Sequence, residues 1–446
     1  MSRKAQYIMP RFDDIYAKDF KETPYWWEAA EPETDLCPLP ERADVVVIGS
    51  GYAGLNAATH LARAGRSVVV IDGDRIGEGA STRSGGMVSS GQKLVVSGAI
   101  KGIDPVLFSR LIGESNESFD YLKMLVETEK LDAGLALSGR FFGAHAAGDY
   151  ETLKRHGMLL AEKTGVTVHF LDRAHQRSAI GSDYYHGGMV IDEYGGLHPG
   201  KYHKALRDRA RAAGVMLRSH ARAGMVQDSA KGEKIVPTAR GAIRAAHVVA
   251  TTNGYTAADA TPGLASRIVP VKSYQIATAP LPADLLTELI PQARMVSDTR
   301  RDLIYARPSP DGTRLLFGSR PGIFDMPDKL AAKRLYARML AIWPQLAGVK
   351  ITHAWSGRVA MTVDKIAHLG VRDGADFAAG CNGNGVALMT FLGYQTARKI
   401  LGEQNMPSAF DRETFTAVPF YSGKPWFVPL FAGWYRLRDF LDRPGR

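Results

Sequence analysis

The stretch ADVVVIGSGYAGLNAATHLARAGRSVVVIDGDRIGEGASTRSGG, residues Ala43 to Gly86, decides how this chain is read. Val45, Val46, Val47 and Ile48 form a short continuous apolar run, the pattern of a parallel strand covered on both faces. A glycine turn follows at once. Gly49, Gly51 and Gly54 complete G-x-G-x-x-G: the first permits the tight turn, the second lets a pyrophosphate approach the backbone, and the third packs helix against strand. The helix opening at Tyr52, Ala53 and Gly54 presents free N–H groups to phosphate, carries Leu55, Ala57, Ala58, Leu61 and Ala62, and stops at Gly65. A second apolar strand, Val68 to Ile71, ends in Asp72, 21 residues beyond Gly51. An acid at that offset accepts hydrogen bonds from a ribose and repels a 2′-phosphate. Strand, turn, helix, strand and acid together predict a dinucleotide site for FAD or NAD.

The chain has 446 residues, more than a single core usually organises, so two structural units are expected. Its 45% hydrophobic and 23% charged residues are those of a globular protein and exclude large-scale disorder. The net charge of +10 raises nucleic acid or an anionic membrane as partners. The basic residues are scattered, however, as in KALRDRARAAG from Lys204 to Gly214, a solvated helix face. No basic run interleaves with aromatics, and nucleic-acid binding is not expected. Two cysteines, Cys37 and Cys381, and an opening MSRKAQYIMPRFDDIYAKDF without an apolar leader point to the cytoplasm. No apolar run reaches the ~18 residues of a membrane span. His169, His175 and His186 match no compact ligand spacing, so no metal is expected.

Ahead of Ala43, the aromatic cluster Tyr25, Trp26 and Trp27 is expected to pack back on the body. Asp104 to Thr164 reads mostly as helices, with Leu107, Leu111, Phe119, Leu122 and Leu125 at helical steps. Gly195 to Gly214 is a glycine–proline entry into an amphipathic helix, followed by a strand near Met216 to Met225. Ala246 to Tyr255 is an apolar strand ending in a polar glycine turn. Beyond Ser266, the runs Ile268–Ala277, Leu303–Arg307 and Leu315–Arg320, separated by proline and glycine turns, predict an antiparallel sheet. A helix from Pro327 to Trp343 follows. Phe377 to Val386 gives a short strand, a glycine loop and a helix start, with Val386, Met389, Gly393, Thr396 and Ile400 along one helix face. The aromatic and basic tail, PFYSGKPWFVPLFAGWYRLRDFLDRPGR, is expected to dock onto the body, its apolar run being broken by Pro429. Weak contact with a membrane surface is the alternative.

After Asp72, where a plain NAD-binding unit would proceed to its next helix, this chain inserts Gly77, Gly79, Ser81, Gly85 and Gly86. That loop, with the glycine-rich start at Gly383 to Val386, resembles the FAD-dependent oxidoreductases of the D-amino-acid-oxidase and sarcosine-oxidase superfamily. The second segment is similar to gamma-glutamylputrescine oxidoreductase-like members. The resemblance implies an α/β fold, α+β over the whole chain: a Rossmann-like FAD-binding domain of the glutathione-reductase type with an antiparallel-sheet substrate domain. It divides the chain into an arm (1–42), a discontinuous FAD-binding domain (43–98, 190–256 and 352–404), a helical and strand insert (99–189), a substrate domain (257–351) and a tail (405–446).

The same resemblance assigns cofactor contacts to Gly49, Gly51, Tyr52, Ala53 and Gly54, to Asp72 and Gly73, and to Gly79, Ala80, Ser81, Ser84, Gly85, Gly86 and Met87. Ala223 would meet the adenine, and Thr251 and Gly254 would close the site. Gly357 would pass beneath the flavin. Gly383, Asn384, Gly385 and Val386 would aim a helix N-terminus at the flavin N1–C2=O edge, where negative charge accumulates on reduction. The FAD is expected to be noncovalent: Val359 to Thr362 holds no cysteine, and Thr82 and Arg83 stand where histidine-linked relatives carry their histidine. Tyr274, Gln275, Tyr305, Arg320 and Trp355 are the catalytic candidates.

The chemistry implied is dehydrogenation of a C–N bond in a small-molecule amine or amino acid, a gamma-glutamylated or other secondary amine foremost. A neutral amine gives a hydride to flavin N5 and the resulting imine hydrolyses. The protein then has mainly to orient the substrate and exclude water. Leu315 to Gly318 lacks the lysine that activates oxygen in sarcosine oxidases, which leaves oxygen or another electron acceptor. Two other readings stay open: an NAD-dependent Rossmann dehydrogenase, and a flavoprotein whose main role is membrane or partner attachment through its tail.

Overall fold

The computed structural model describes residues 14–91, 94–95, 102–403, 406–412, 415–423 and 425–442. The opening residues 1–13 of the arm, the expected domain boundary at 98/99 and the last four residues of the tail lie outside them.

Two sheets organise the molecule. In the first, the strands run in the order Gln227–Asp228, Lys234–Thr238, Gly241–Ala250, Arg42–Ile48, Val68–Ile71 and Met216–Arg218. Ala375–Ala379 also pairs in parallel with Gly241–Ala250 and carries His368–Arg372 on its other side. The central pairings are parallel, Val47 lying opposite Val70 and Val249. Such strands need cover on both faces, and Val45, Val46, Val47 and Val69 to Ile71 are fully buried. The covering helices are Tyr52–Arg63, Pro105–Thr128 and Gly385–Leu401, whose apolar faces join one core. Asp104 starts the second of these, its Oδ1 accepting from the N–H groups of Val106 and Leu107 at 3.0 Å, with Pro105 at the first helical position. The strand expected near Met216 to Met225 is shorter, Met216–Arg218, because the chain then turns across Asp72 and Asp74.

The second sheet has nine strands in the order Tyr16–Lys21, Ile351–Met361, Val269–Thr278, Leu315–Ser319, Tyr305–Pro308, Met295–Asp298, Arg140–Gly143, Gly188–Ile191 and Val168–Leu171. All neighbours are antiparallel except Tyr16–Lys21 with Ile351–Met361 and Met295–Asp298 with Arg140–Gly143. The sheet therefore crosses the expected boundaries. Strands from 99–189, from 257–351 and from 352–404, together with one from the arm, share a single hydrogen-bonded layer. The resemblance that set those boundaries says nothing of strand pairing, and the parallel pairing of Met295–Asp298 with Arg140–Gly143 is a contact between segments some 150 residues apart. The helix Asp328–Ile342 covers this sheet through Ala331, Ala332, Leu335, Tyr336 and Met339. Among the described residues no helix is long and apolar enough to cross a membrane.

Candidate active site

A cleft of about 990 Å³ lies between the two sheets, within the upper range of ligand pockets. Gly49, Gly51, Tyr52, Ala53, Asp72, Gly73, Gly79, Ala80, Ser81, Ser84, Gly85, Gly86, Met87, Ala223, Thr251, Gly357, Gly383, Asn384, Gly385 and Val386 all line it. Of the catalytic candidates, Gln275, Tyr305 and Arg320 line it too.

Four expected residues lie elsewhere. Gly54 packs against the strand end, where an added Cβ would stand 2.0 Å from the Gly49 carbonyl oxygen. Gly254 rests against the Arg358 backbone, its Cβ position 2.8 Å from that carbonyl oxygen. Tyr274 turns its ring into the core, and its hydroxyl accepts from the Met326 N–H at 2.8 Å. Trp355 is fully buried and donates its indole N–H to the Arg83 carbonyl at 3.0 Å, so it positions the loop instead of touching the cleft.

The first glycine turn is held by Ser50 and Asp72. The Asp72 Oδ2 accepts from the Ser50 N–H at 2.9 Å and its hydroxyl at 2.5 Å, while Oδ1 accepts from the Asp74 N–H at 3.1 Å. Burial raises the Asp72 pKa, and the Ser50 bonds oppose that rise. The Ser50 hydroxyl accepts from the Gly77 N–H at 2.9 Å, tying the two glycine loops together. Asp72→Ala removes this knot as well as the carboxylate expected to meet a ribose. We expect purified Asp72→Ala to retain FAD about tenfold less tightly, read from the 450 nm to 280 nm absorbance ratio during dilution; equal retention would contradict the assignment.

His203 braces the same turn. Its Nε2 lies 2.8 Å from the Ser50 carbonyl oxygen, which can only accept, so Nε2 carries the proton of a neutral imidazole. Burial lowers the His203 pKa from 6.5 to about 4, and His60 and His198 are lowered to about 4 in the same way. A depressed folded-state pKa means that the unfolded chain binds the proton first. The stability these groups contribute is present above pH 6.5 and is lost as pH falls toward 4. The expected result is a steadily falling Tm with release of flavin fluorescence between those values; a Tm constant over that interval would contradict it.

The second glycine loop is clamped from outside by groups that the sequence did not single out for the purpose. Trp26 donates its indole N–H to the Ser84 carbonyl at 2.8 Å, and Trp27 donates to the Thr82 hydroxyl at 2.9 Å. Gln275 Nε2 donates to the Arg83 carbonyl at 2.7 Å, the acceptor that Trp355 also uses. Arg307, buried and with its pKa lowered to about 10 by desolvation, donates to the carbonyls of Leu197 at 2.8 Å and Gly85 at 3.3 Å. The signal available was the buried Trp pair itself, since a buried indole N–H needs an acceptor.

The glycine cradle fits an elongated dinucleotide. A Cβ on Gly51 would stand 3.0 Å from the Ser81 hydroxyl, so a side chain there would fill the trough. The helices Tyr52–Arg63 and Gly385–Leu401 both open onto the cleft, and neither is capped by the side chain of its own N-cap residue. Asn384 instead ties its amide to the Ser90 carbonyl at 3.2 Å and accepts from the Ser89 hydroxyl at 2.9 Å. With the Tyr52 N–H taken by the Ser81 hydroxyl at 3.1 Å, the rest of that helix N-terminus suits a pyrophosphate and the one at Gly385 a ring carbonyl that gains electron density.

At one end of the cleft lie Asp72, Gly73, Arg222 and Asp259; at the other, Tyr305 lies over Gly318 and beside Gly85. The Tyr305 hydroxyl is 2.9 Å from the Ser273 hydroxyl and donates to the Tyr274 carbonyl at 3.2 Å. Burial raises its pKa to about 12, so it stays protonated at neutral pH. The acids lining the cleft, Asp72, Asp74 and Asp259, all belong to the first end. Arg140, Arg301 and Arg320 line the cleft from the second sheet and the segments flanking its strands. Arg301 is neutralised by Asp439 at 2.9 Å and Asp442 at 2.6 Å. Arg140 donates to the Ser297 hydroxyl at 2.6 Å. Among the described residues nothing hydrogen-bonds the Arg320 guanidinium, whose pKa burial lowers and Asp302 and Tyr305 hold up.

The profile of the DAO family, described as FAD dependent oxidoreductase, matches residues 44–399. The chain belongs to this family. It is 31% identical over 424 residues to "Probable oxidoreductase OrdL" of Rhizobium meliloti (strain 1021), covering 93% of this chain and 97% of that one. It is 29% identical over 406 residues to gamma-glutamylputrescine oxidoreductase of Escherichia coli (strain K12), covering 89% and 93%. Glycine oxidase from Geobacillus kaustophilus superposes with a TM-score of 0.69 at 23% identity, covering 85% of this chain and 99% of that one. L-proline dehydrogenase from P. horikoshii superposes at 0.66 and 22%, covering 84% and 97%. Family membership makes the chain an FAD-dependent oxidoreductase, with FAD as its cofactor in place of NAD. The α/β architecture with its Rossmann-like sheet agrees with the expected fold class.

Proposed function

We propose that this enzyme oxidises the C–N bond of a small amine or amino acid that also carries a carboxylate, a gamma-glutamylated diamine with its free amine reacting being the leading case. The single observation behind this reading is the charge on the cleft wall beside Tyr305: among the described residues no carboxylate stands within ion-pair distance of the Arg320 guanidinium, and Asp302 acts on it only from farther off. Free polyamines, which carry only positive charge, are disfavoured there; a carboxylate forms charge-assisted hydrogen bonds with the guanidinium.

FAD, when bound, supplies the acceptor for the hydride that leaves the substrate carbon, and water then hydrolyses the imine. The chain's own part is placement. Arg320 anchors the carboxylate, the Tyr305 hydroxyl and Gln275 border the reacting carbon, and the tryptophan-clamped loop keeps Gly85 and Gly86 close-packed so that water is excluded. Noncovalent binding follows from the residues at 82–83 and 359–362, and unpaired Cys37 and Cys381 suit a cytoplasmic setting.

The test is a pair of substrates that differ in one group. Under anaerobic stopped flow, gamma-glutamylputrescine is expected to bleach the flavin band at least about a hundredfold more efficiently than putrescine, a difference of ~3 kcal/mol. Equal rates would remove the basis for the carboxylate requirement. Admitting air after bleaching distinguishes oxygen from another acceptor.

A further inference from the structure

The helix Val428–Leu441 has its amphipathicity turned inside out. Leu430, Trp434, Leu437 and Leu441 recur at steps of four, three and four residues, one face of a helix, and are 49–69% exposed. The polar side chains face the body instead. Arg436 donates to the Arg320 carbonyl at 2.8 Å and the Asp302 carboxylate at 3.3 Å; Asp439 and Asp442 both engage Arg301. A helix that serves only to close a fold buries its apolar stripe. This one is fastened by its charges and presents its stripe to the outside.

The exposed stripe continues onto its surroundings. Phe431 and Trp426 are exposed beside it, as is Phe324 on the loop whose Ile323 lies 3.8 Å from the Cβ position of Gly433. Arg438 holds its guanidinium 5.9 Å from the Trp434 ring at the edge of the stripe. In sequence, Phe420 to Arg446 carries five basic and two acidic residues, and both acids are the ones Arg301 neutralises.

We propose that this face docks the enzyme on an anionic lipid bilayer, the helix lying flat in the headgroup region. Leucine and tryptophan on the inserted side with arginine at the margin is the composition of an interfacial helix. The occupant is a bilayer and not a second copy of the chain because of charge: the chain carries a net +10 and Arg438 stands at the edge of the stripe, so two copies set face to face would oppose like charges, whereas an anionic headgroup layer receives both the stripe and its basic margin. Tyr435 of this helix lines the cleft, along with Ser422 and Gly423, so the docked helix also forms part of the cleft wall.

The experiment is co-sedimentation of the FAD-loaded enzyme with vesicles of phosphatidylcholine alone and with phosphatidylglycerol added, followed by flavin absorbance in pellet and supernatant. The wild type is expected to pellet with the mixed vesicles, with a blue shift of tryptophan emission. The double variant Trp434→Glu and Leu437→Glu, at two exposed positions that do not line the cleft, is expected to bind at least about tenfold more weakly while keeping its FAD and its anaerobic reduction by amine. Wild type left in the supernatant with both vesicle types overturns the proposal. Equal pelleting with both types overturns the anionic assignment. A wild-type dimer in sedimentation equilibrium that the double variant dissociates overturns it in favour of a second copy. Because pelleting is read without turnover, its outcome is separate from that of the substrate assignment.

Discussion

Gly54→Ala is expected to give a folded protein that is purified without FAD. The methyl group would stand 2.0 Å from the Gly49 carbonyl oxygen and 2.7 Å from the Thr251 hydroxyl. Neither neighbour is the free end of a flexible side chain. Gly49 is the tight turn itself, at a φ of 105°, and the Thr251 hydroxyl is fixed by donating to the Ile48 and Gly49 carbonyls at 3.0 Å. To admit the methyl group, the helix Tyr52–Arg63 must lift from the strand Arg42–Ile48, which moves its N-terminal N–H groups away from the cleft. Overpacking of this kind costs about 1–3 kcal/mol of stability, tolerable for a chain of this size, but the phosphate cradle depends on tenths of an ångström. We predict less than about 0.1 FAD per chain after gel filtration, with far-ultraviolet circular dichroism unchanged. Full flavin occupancy would show that helix and strand are not in the contact described.

Arg320→Met is expected to leave FAD content intact and to lower kcat/KM for a carboxylate-bearing amine by about 10²- to 10³-fold, the range for losing a buried charge-assisted partner. Methionine keeps the length and apolar stem of the side chain. Arg320→Lys should recover part of the loss, since a point charge replaces a two-pronged one. For an amine without a carboxylate, the wild type and both variants should differ by only a few-fold, and this separates substrate anchoring from a general disturbance of the cleft. The control matters because the Arg320 carbonyl also accepts from Arg436 of the last helix. That backbone contact survives the substitution.

Much of the cofactor half was legible in the sequence because its determinants are local. The valine runs at 45–48 and 68–71 and the glycine spacing at 49–54 fix strand, turn and helix within thirty residues, and the structure has them at Arg42–Ile48, Tyr52–Arg63 and Val68–Ile71. Strands at Val269–Thr278 and Leu315–Ser319 could likewise be read from alternation and turn residues. What could not be read was pairing between distant segments. Arg140–Gly143 and Val168–Leu171 have nothing in their own sequence to say that they extend the sheet of Val269–Thr278. Trp355 shows the same limit for side chains. It stood among the catalytic candidates, yet its indole N–H is spent on the carbonyl of Arg83, 272 residues away in sequence. Trp26 and Trp27 were expected merely to pack, and their two N–H groups prove to hold the loop at Thr82 and Ser84.

The most direct test of the account is the visible spectrum of the purified protein under strict anaerobiosis, recorded before and after addition of a panel of amines and amino acids with and without a carboxylate. The account predicts an oxidised flavin spectrum near one FAD per chain, bleached by amines that carry a carboxylate and unchanged by simple polyamines. A flavin that remains oxidised with every compound would contradict the amine chemistry proposed for the cleft.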